Sequence, residues 1–413
     1  MTAHCHPTGQ ADAFPLSSAP LPGGPSALCA SALAPWPDAC GYAVVIPARE
    51  EERRIGACLR SVLASMRACG RTGGIVVLVN NSTDATHARA AETLAGSGVP
   101  HLVLDVGLPD AMANAGTARR VALDLAAIQV EPDGALLTTD ADTLVDRHWV
   151  GESLAALDAG ADVVCGAIDI DPAEAAPILA RMGPGYLSER DYVALTIELG
   201  ARLDPRLHDP LPPHRCAGGA SLAFRQAVYR DTGGMPPLAC GEDRAFVAAA
   251  DARDWRVVYS GAARVTTSFR LTGRATGGMA ETLAVRLRGD DAPCDEVVEP
   301  AATAALRAWA RGRLRAVAGG HPHLRADILA ALGLDASADP FTATPFFGEA
   351  WAIVEQHSPR LVRRRLSLAS VASELPAMRA LVEALRDGDE IPLTARDAER
   401  WILNTRERMM AHG

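Results

Sequence analysis

Between Gly41 and about Gly160, short apolar runs alternate with stretches whose apolar residues recur every three or four positions, the pattern of strands separated by helices. Tyr42 to Pro47 is an apolar run closed by proline, and Ile55 to Ala68 has helical spacing. Ile75 to Val79 reads as a second buried strand, ending in Asn80-Asn81-Ser82-Thr83-Asp84; a helix follows from Ala85 to Ala95, with Thr83 or Asp84 as its N-cap. His101 to Leu104 and Ala135 to Thr138 are the third and fourth strands, with a helix from Ala115 to Ile128 between them. Helices of this length between strands predict a parallel sheet with right-handed crossovers.

Past Trp149 the alternation is less regular. Ala161 to Ile168 is a further strand, and Pro172 to Leu203 is helical with an interruption at Gly183-Pro184-Gly185. Gly218 to Phe224 returns to the sheet, Glu242 to Asp251 is a short helix, and Trp255 to Tyr259 and Arg264 to Thr267 are edge strands. Beyond about Thr276 helical spacing dominates, in segments near 301–317, 324–332, 346–357, 367–386 and 394–411. The first 40 residues, rich in proline and alanine, lack the basic start and apolar core of a signal peptide and read as a disordered leader or an over-extended start. The expected organisation is a leader over 1–40, an α/β domain over 41–275 and a helical region over 276–413 that serves as lid, acceptor-side domain or dimer surface.

The fourth strand stops at Asp140-Ala141-Asp142, which places hard oxygen ligands at a strand's carboxyl edge, where open α/β sheets bind ligands. That arrangement suits a divalent metal holding a diphosphate. With 413 residues and a net charge of −10, the chain buries a core easily and offers no polyanion-binding surface, so nucleic acid is excluded as a partner. Nine scattered cysteines without a Cys-x-x-Cys pair argue for reduced thiols, a cytoplasmic location and no zinc framework. No apolar segment approaches the roughly 20 residues of a membrane span. Every basic side chain is arginine, which rules out a Walker-type lysine loop and Schiff-base chemistry. A phosphate clamp here must use arginine, backbone amides or metal.

Taken in order, Val44-Val45-Ile46-Pro47-Ala48-Arg49-Glu50-Glu51-Glu52, Asn80-Asn81-Ser82-Thr83-Asp84-Ala85-Thr86, Asp140-Ala141-Asp142 and Gly241-Glu242-Asp243 resemble the family 2 glycosyltransferases. The resemblance covers roughly residues 42 to 270. It implies a GT-A fold, a Rossmann-like, mostly parallel sheet flanked by helices, here with a C-terminal helical extension. It also implies a nucleotide-diphospho-sugar donor, UDP- or GDP-linked, and a hydroxyl acceptor. Pro47, Arg49, Glu51, Asn81 and Asp84 are then expected around the base and ribose, although each alone also serves as a turn residue or helix cap. Asn81 stands where the family usually has an acid, and its amide leaves uracil or guanine open.

The resemblance further implies that Asp142 binds Mg²⁺ or Mn²⁺, with Asp140 at the ribose or the metal's water shell. Glu242 and Asp243 match the family's catalytic pair, with Asp243 as general base for an inverting transfer; both also suit a helix start. Gly219, in Gly218-Gly219-Ala220-Ser221, would floor the donor sugar. Arg119 lies near a helix N-terminus suited to anions, and Arg270 and Arg274 are candidates to close over the diphosphate. The Gln-x-x-Arg-Trp signature of processive synthases is absent, which favours transfer of a single sugar. Arg363-Arg364-Arg365 beside Leu366, Leu368 and Val371 suggests either peripheral contact with anionic lipid or the solvated face of a bundle. The rival readings are a sugar nucleotidyltransferase, which wants a glycine-rich basic loop in place of Pro47 to Glu52, and a non-catalytic nucleotide-sugar-binding protein. A nicotinamide dehydrogenase lacks its Gly-x-Gly-x-x-Gly.

Overall fold

The computed structural model of the chain describes residues 27–34, 36–37, 40–273, 277–289, 291–335 and 339–412. Among them one mixed sheet is built from β1 (Ala27–Ala34), β2 (Tyr42–Ala48), β3 (Gly73–Asn80), β4 (His101–Gly107), β5 (Ala135–Thr138), β6 (Thr143–Val145), β7 (Val163–Ile170), β8 (Leu222–Arg225) and β9 (Val257–Thr267). Their spatial order is β1-β4-β3-β2-β5-β8-β7-β9-β6. The inner strands β4, β3, β2 and β5 are mutually parallel. β8 runs antiparallel to β5 and β7, while β1 and β6 pair antiparallel with β4 and β9.

The inner strands carry apolar residues on both faces because helices cover both. On one face Val44, Ile46, Ile75 and Val77 pack against Ile55, Leu59 and Val62 of α1 (Ile55–Cys69), Ala90 and Leu94 of α2 (Thr86–Leu94), and Trp149 and Leu154 of α4. On the other, Val45, Val76 and Leu78 meet Ala118 and Ala122 of α3 (Ala115–Ala127). Helix α4 spans Trp149–Asp158. An unbroken apolar run is what a doubly covered parallel strand requires, which is why β2 and β3 stand out in the sequence.

The chain moves outward from β2 to β3 and β4, then returns past β2 to form β5. The connections therefore reverse direction between β2 and β5, and the crevice outside their carboxyl ends is the place where such sheets bind ligands. The Arg49-Glu50-Glu51 turn and the Asp140-Ala141-Asp142 turn both lie there.

Beyond α4 come α5 (Pro172–Leu179), α6 (Pro184–Leu203), α7 (Gln226–Asp231) and α8 (Glu242–Ala252), the last two on the α3 face. The C-terminal helices are α9 (Met279–Arg286), α10 (Ala301–Val317), α11 (Pro322–Ala331), α12 (Phe347–His357), α13 (Leu368–Arg386) and α14 (Ala395–His412). Their core joins Tyr192 and Leu199 of α6 to Trp309, Trp351, Met378, Leu381 and Trp401. Two glycines allow these helices to sit close. A Cβ on Gly312 of α10 would meet the Leu203 carbonyl at 2.0 Å, and one on Gly348 of α12 would meet the Asp251 carbonyl at 2.3 Å. Ion pairs reinforce the contact: Arg311 to Asp251 at 2.7 Å, Arg206 to Asp251 at 3.0 Å and Arg315 to Asp204 at 2.8 Å.

Several expectations change. The expected leader over 1–40 contains strand β1, paired with β4 from Ala27↔Gly107 to Ala34↔His101, so it is not wholly unstructured. Residues 1–26 lie outside the described residues. The two edge strands expected over 255–267 are one, β9, with an irregularity opposite Gly166/Ala167. Gly219–Ser221 is a short 3-10 turn before β8 rather than part of the strand. Leu368 and Val371 are buried at 2% and 0% exposure, so these two neighbours of Arg363-Arg364-Arg365 face the helical core. No helix among the described residues is long and apolar enough to cross a membrane.

Candidate functional site

Two strand-end turns interlock beside β2. Glu50 and Asn81 both take left-handed backbone angles, φ 54° and 49°, uncommon for residues with side chains and a mark of backbone held by its surroundings. The Glu50 N–H donates to Ser82 Oγ at 2.9 Å, and the Glu50 carboxylate accepts from the Thr83 N–H at 2.7 Å. The Glu51 N–H donates to Thr86 Oγ1 at 2.7 Å, and Asp84 Oδ2 accepts from the Glu52 N–H at 3.1 Å. Asp84 Oδ1 accepts from the Thr86 N–H at 3.0 Å at the start of α2. The carboxylate of Asp84 thus stitches the two turns together. Asn81 spends its amide on Leu108, donating to its carbonyl at 2.8 Å and accepting from its N–H at 3.0 Å. Arg49 donates to the Ala113 carbonyl at 2.9 Å. Pro47, Arg49, Glu51, Asn81 and Asp84 are therefore brought to one edge, with Asn81 and Asp84 serving as its framework.

β5 ends at Thr138, and Thr139 lies fully buried before the aspartate turn. β6 begins directly after Asp142 and pairs with the end of β9, Thr143 opposite Thr267, with their hydroxyls 2.9 Å apart. This pairing carries Ser268-Phe269-Arg270 back over the turn. Arg270 reaches Asp142 Oδ2 at 3.0 Å and grips both carboxylate oxygens of Glu51, one of them at 3.1 Å. β6 is too short to be read from sequence, so the meeting of Arg270 with Asp142 and Glu51 was not legible there. Arg274 lies outside the described residues.

Arg119 is turned inward, not toward a bound anion. Its side chain is 4% exposed, and α3 aims it beneath the sheet edge. There it donates to Asp140 Oδ1 at 2.6 Å, Glu242 Oε1 at 3.1 Å, the Gly219 carbonyl at 3.2 Å and the Thr138 hydroxyl. Gly219 is needed for this fit: an ideal Cβ there would lie 2.6 Å from the guanidinium carbon. The Gly219 N–H donates to Asp243 Oδ2 at 2.6 Å, and the Arg244 N–H donates to Asp243 Oδ1 at 2.7 Å. The aspartate pair and the Glu242-Asp243 helix start are therefore joined through one buried arginine. Glu242, at 5% exposure, belongs to that support, while Asp243 is half-buried at the α8 N-terminus.

The electrostatics follow from this crowding. Burial, with Asp140 beside it, pushes the Asp142 carboxyl up to about 6, against the pull of Arg270. Burial also raises Glu242, opposed by Arg119. Burial alone would lower Arg119, but Asp140 and Glu242 outweigh it and hold the guanidinium above its ordinary value. Glu51, Asp140 and Asp142 thus bring three carboxylates to the crevice, with the Arg119 and Arg270 guanidinium groups against them. Asn80 Nδ2 and Thr139 Oγ1, at the ends of the strands flanking β2, are buried with no hydrogen-bond partner among the described residues. Among those residues no group of three or more His, Cys, Asp or Glu is placed as a closed metal cage. Mg²⁺ and Mn²⁺ do not need one when substrate phosphates and water complete the shell, so the two carboxylates of the aspartate turn fit such an ion.

Solved structures with a related outline include residues 1–349 of S. aureus TarS in complex with UDP-GlcNAc. It is 17% identical with a TM-score of 0.43, over 84% of this chain and 92% of that one. Glucosyl-3-phosphoglycerate synthase from Mycobacterium tuberculosis, in complex with Mn²⁺, UDP and phosphoglyceric acid, is 18% identical with a TM-score of 0.36, over 60% and 77% of the two chains. Comparison with curated proteins gives no match. The family model for glycosyl transferase family 2 matches residues 43–229, from β2 into α7 and including the paired aspartates, so this part of the chain is similar to that family.

Proposed function

We propose that the protein moves a single sugar from a nucleoside-diphosphate donor, UDP- or GDP-linked, to a hydroxyl acceptor, with inversion at the anomeric carbon. The observation that supports this most is the path Asp140–Arg119–Gly219–Asp243, which fixes the donor-side aspartates and the acceptor-side carboxylate in one frame at the switch point of the sheet.

In this reading Pro47, Arg49 and Glu51 line the nucleoside edge, and Asn81 and Asp84 hold it in shape. Asp142 and Asp140 would hold Mg²⁺ or Mn²⁺, which supplies Lewis-acid stabilisation of the charge on the departing diphosphate. Asp243 takes the proton from the acceptor hydroxyl. The N–H groups of Gly219 and Arg244 each occupy one lone pair of its oxygens, which orients the carboxylate and leaves lone pairs for the hydroxyl. Glu242 acts indirectly, through Arg119. The C-terminal helices, packed on α6 and on the rear of α8, would close the acceptor side.

Isothermal calorimetry with UDP, GDP and their sugar conjugates, with and without Mn²⁺, tests the donor assignment. Metal-dependent nucleotide binding followed by formation of an inverted glycoside, read by NMR, is the expected outcome. Absence of binding to every nucleotide would remove the proposal, and binding without turnover over a broad acceptor panel would favour a non-catalytic binding protein.

A further inference from the structure

Resting on that reading, we propose that Arg270 is a resident counter-cation of the donor site, which a divalent ion and a nucleoside diphosphate displace together. The ion pairs carry the inference. Three carboxylates converge at the crevice: Glu51, Asp140 and Asp142. Asp140 has its own partner in Arg119. Arg54 is committed to Glu174 at 2.6 Å. The Arg270 guanidinium lies on both Glu51 and Asp142, so it occupies the carboxylate that would hold the ion. A divalent ion on Asp142 must take that place from it.

Arg270 is also placed to leave. The chain is pinned just before it, where the Phe269 N–H donates to Glu174 Oε2 at 2.8 Å and the Phe269 ring is buried at 3% exposure. Leu271, Thr272 and Gly273 after it are exposed. Rotation of one long side chain, with its anchor unmoved, therefore carries the guanidinium off the carboxylates. Two parallel N–H donors suit a phosphate as well as they suit a carboxylate. A metal ion arriving alone must strip Arg270 from Asp142 and leave it without a second anion. A metal arriving with a diphosphate provides that anion. The same arginine thus opposes binding of the bare cation and favours binding of the pair, a coupling whose usual size is about 5- to 150-fold in affinity.

The test is direct Mn²⁺ binding without nucleotide, followed by loss of the free-ion EPR signal, for the parent, Arg270→Gln and Arg270→Lys, with folding checked by circular dichroism. Arg270→Gln is expected to bind Mn²⁺ about tenfold more tightly than the parent. Arg270→Lys, which keeps the charge, is expected to stay near the parent. Arg270→Met replaces the glutamine variant if that one does not fold. Adding UDP is expected to raise Mn²⁺ affinity by a larger factor in the parent than in the neutral variant. Equal or weaker Mn²⁺ binding by the neutral variant, in a protein whose parent binds UDP with Mn²⁺, overturns the counter-cation role and leaves the transferase reading intact. A parent that binds no nucleotide under any condition overturns that reading, and this proposal with it.

Discussion

Gly219 gives its backbone N–H to Asp243 Oδ2 at 2.6 Å, and the volume its missing side chain leaves free is filled by the Arg119 guanidinium. One glycine therefore holds the Asp243 carboxylate with its backbone while admitting the arginine that holds the Asp140 turn. Gly219→Ala is expected to push Arg119 from its seat, costing about 1–3 kcal/mol of stability as an overpacking change. Turnover should fall further than stability alone accounts for, and chemical denaturation alongside kcat measures both.

Arg119→Met removes the guanidinium that pairs with Glu242 at 3.1 Å and takes that partner from a buried carboxylate. A loss of about 3–5 kcal/mol in unfolding free energy is expected. Arg119→Lys is expected to recover little of it, because an ammonium cannot reproduce the fork that meets Asp140, Glu242 and the Gly219 carbonyl at once. Urea unfolding of the two variants checks this; full recovery by lysine would show that charge alone suffices.

Asp243→Asn keeps the side chain's size and removes the proposed proton acceptor, at the cost of one of the two backbone hydrogen bonds from Gly219 and Arg244. Transfer is expected to drop by about 10²- to 10⁴-fold. Donor affinity, read by calorimetry, should remain that of the parent, and an equal loss of both would place Asp243 in binding rather than in proton transfer.

Asp142→Ala should abolish the Mn²⁺-dependent part of UDP binding while leaving the fold intact. The side chain is 18% exposed, at the mouth of the crevice rather than in the core. Comparing UDP titrations with and without Mn²⁺ checks it, and a variant that keeps the full metal effect would displace the cation from the aspartate turn.

Asp251→Ala acts at the far end of α8. Arg206 and Arg311 each lose one carboxylate and keep Asp204, and Gly348 of α12 packs on the same turn. The pairs are partly exposed, so about 1–3 kcal/mol is expected. A fall in kcat with unchanged donor affinity would show that the C-terminal helices steady the helix bearing Asp243.

The central strands were legible because β2 and β3 are buried on both faces and so read as continuous apolar runs. The paired aspartates were legible because they interrupt such a run at its end. What escaped the sequence depends on distant partners. β6 is three residues long, and only its pairing with β9 gives it meaning. Arg119 looked like an anion ligand because its neighbours form a helix start; the carboxylates that turn it inward come from 21 and 123 residues further along. Gly219 read as a floor for a sugar, and the group it makes room for is another side chain. Strand β1 lies among prolines and alanines that give no strand period, and it is ordered by the exposed edge of β4.

The contact between α8 and the C-terminal helices has a consequence for engineering. Under the proposed function, those helices invite exchange as an acceptor-choosing module. Yet α10 and α12 grip the rear of the same helix whose front presents Asp243, so exchanging them would also shift the proposed base. A graft made to alter acceptor choice must therefore restore the surface on which α8 bears.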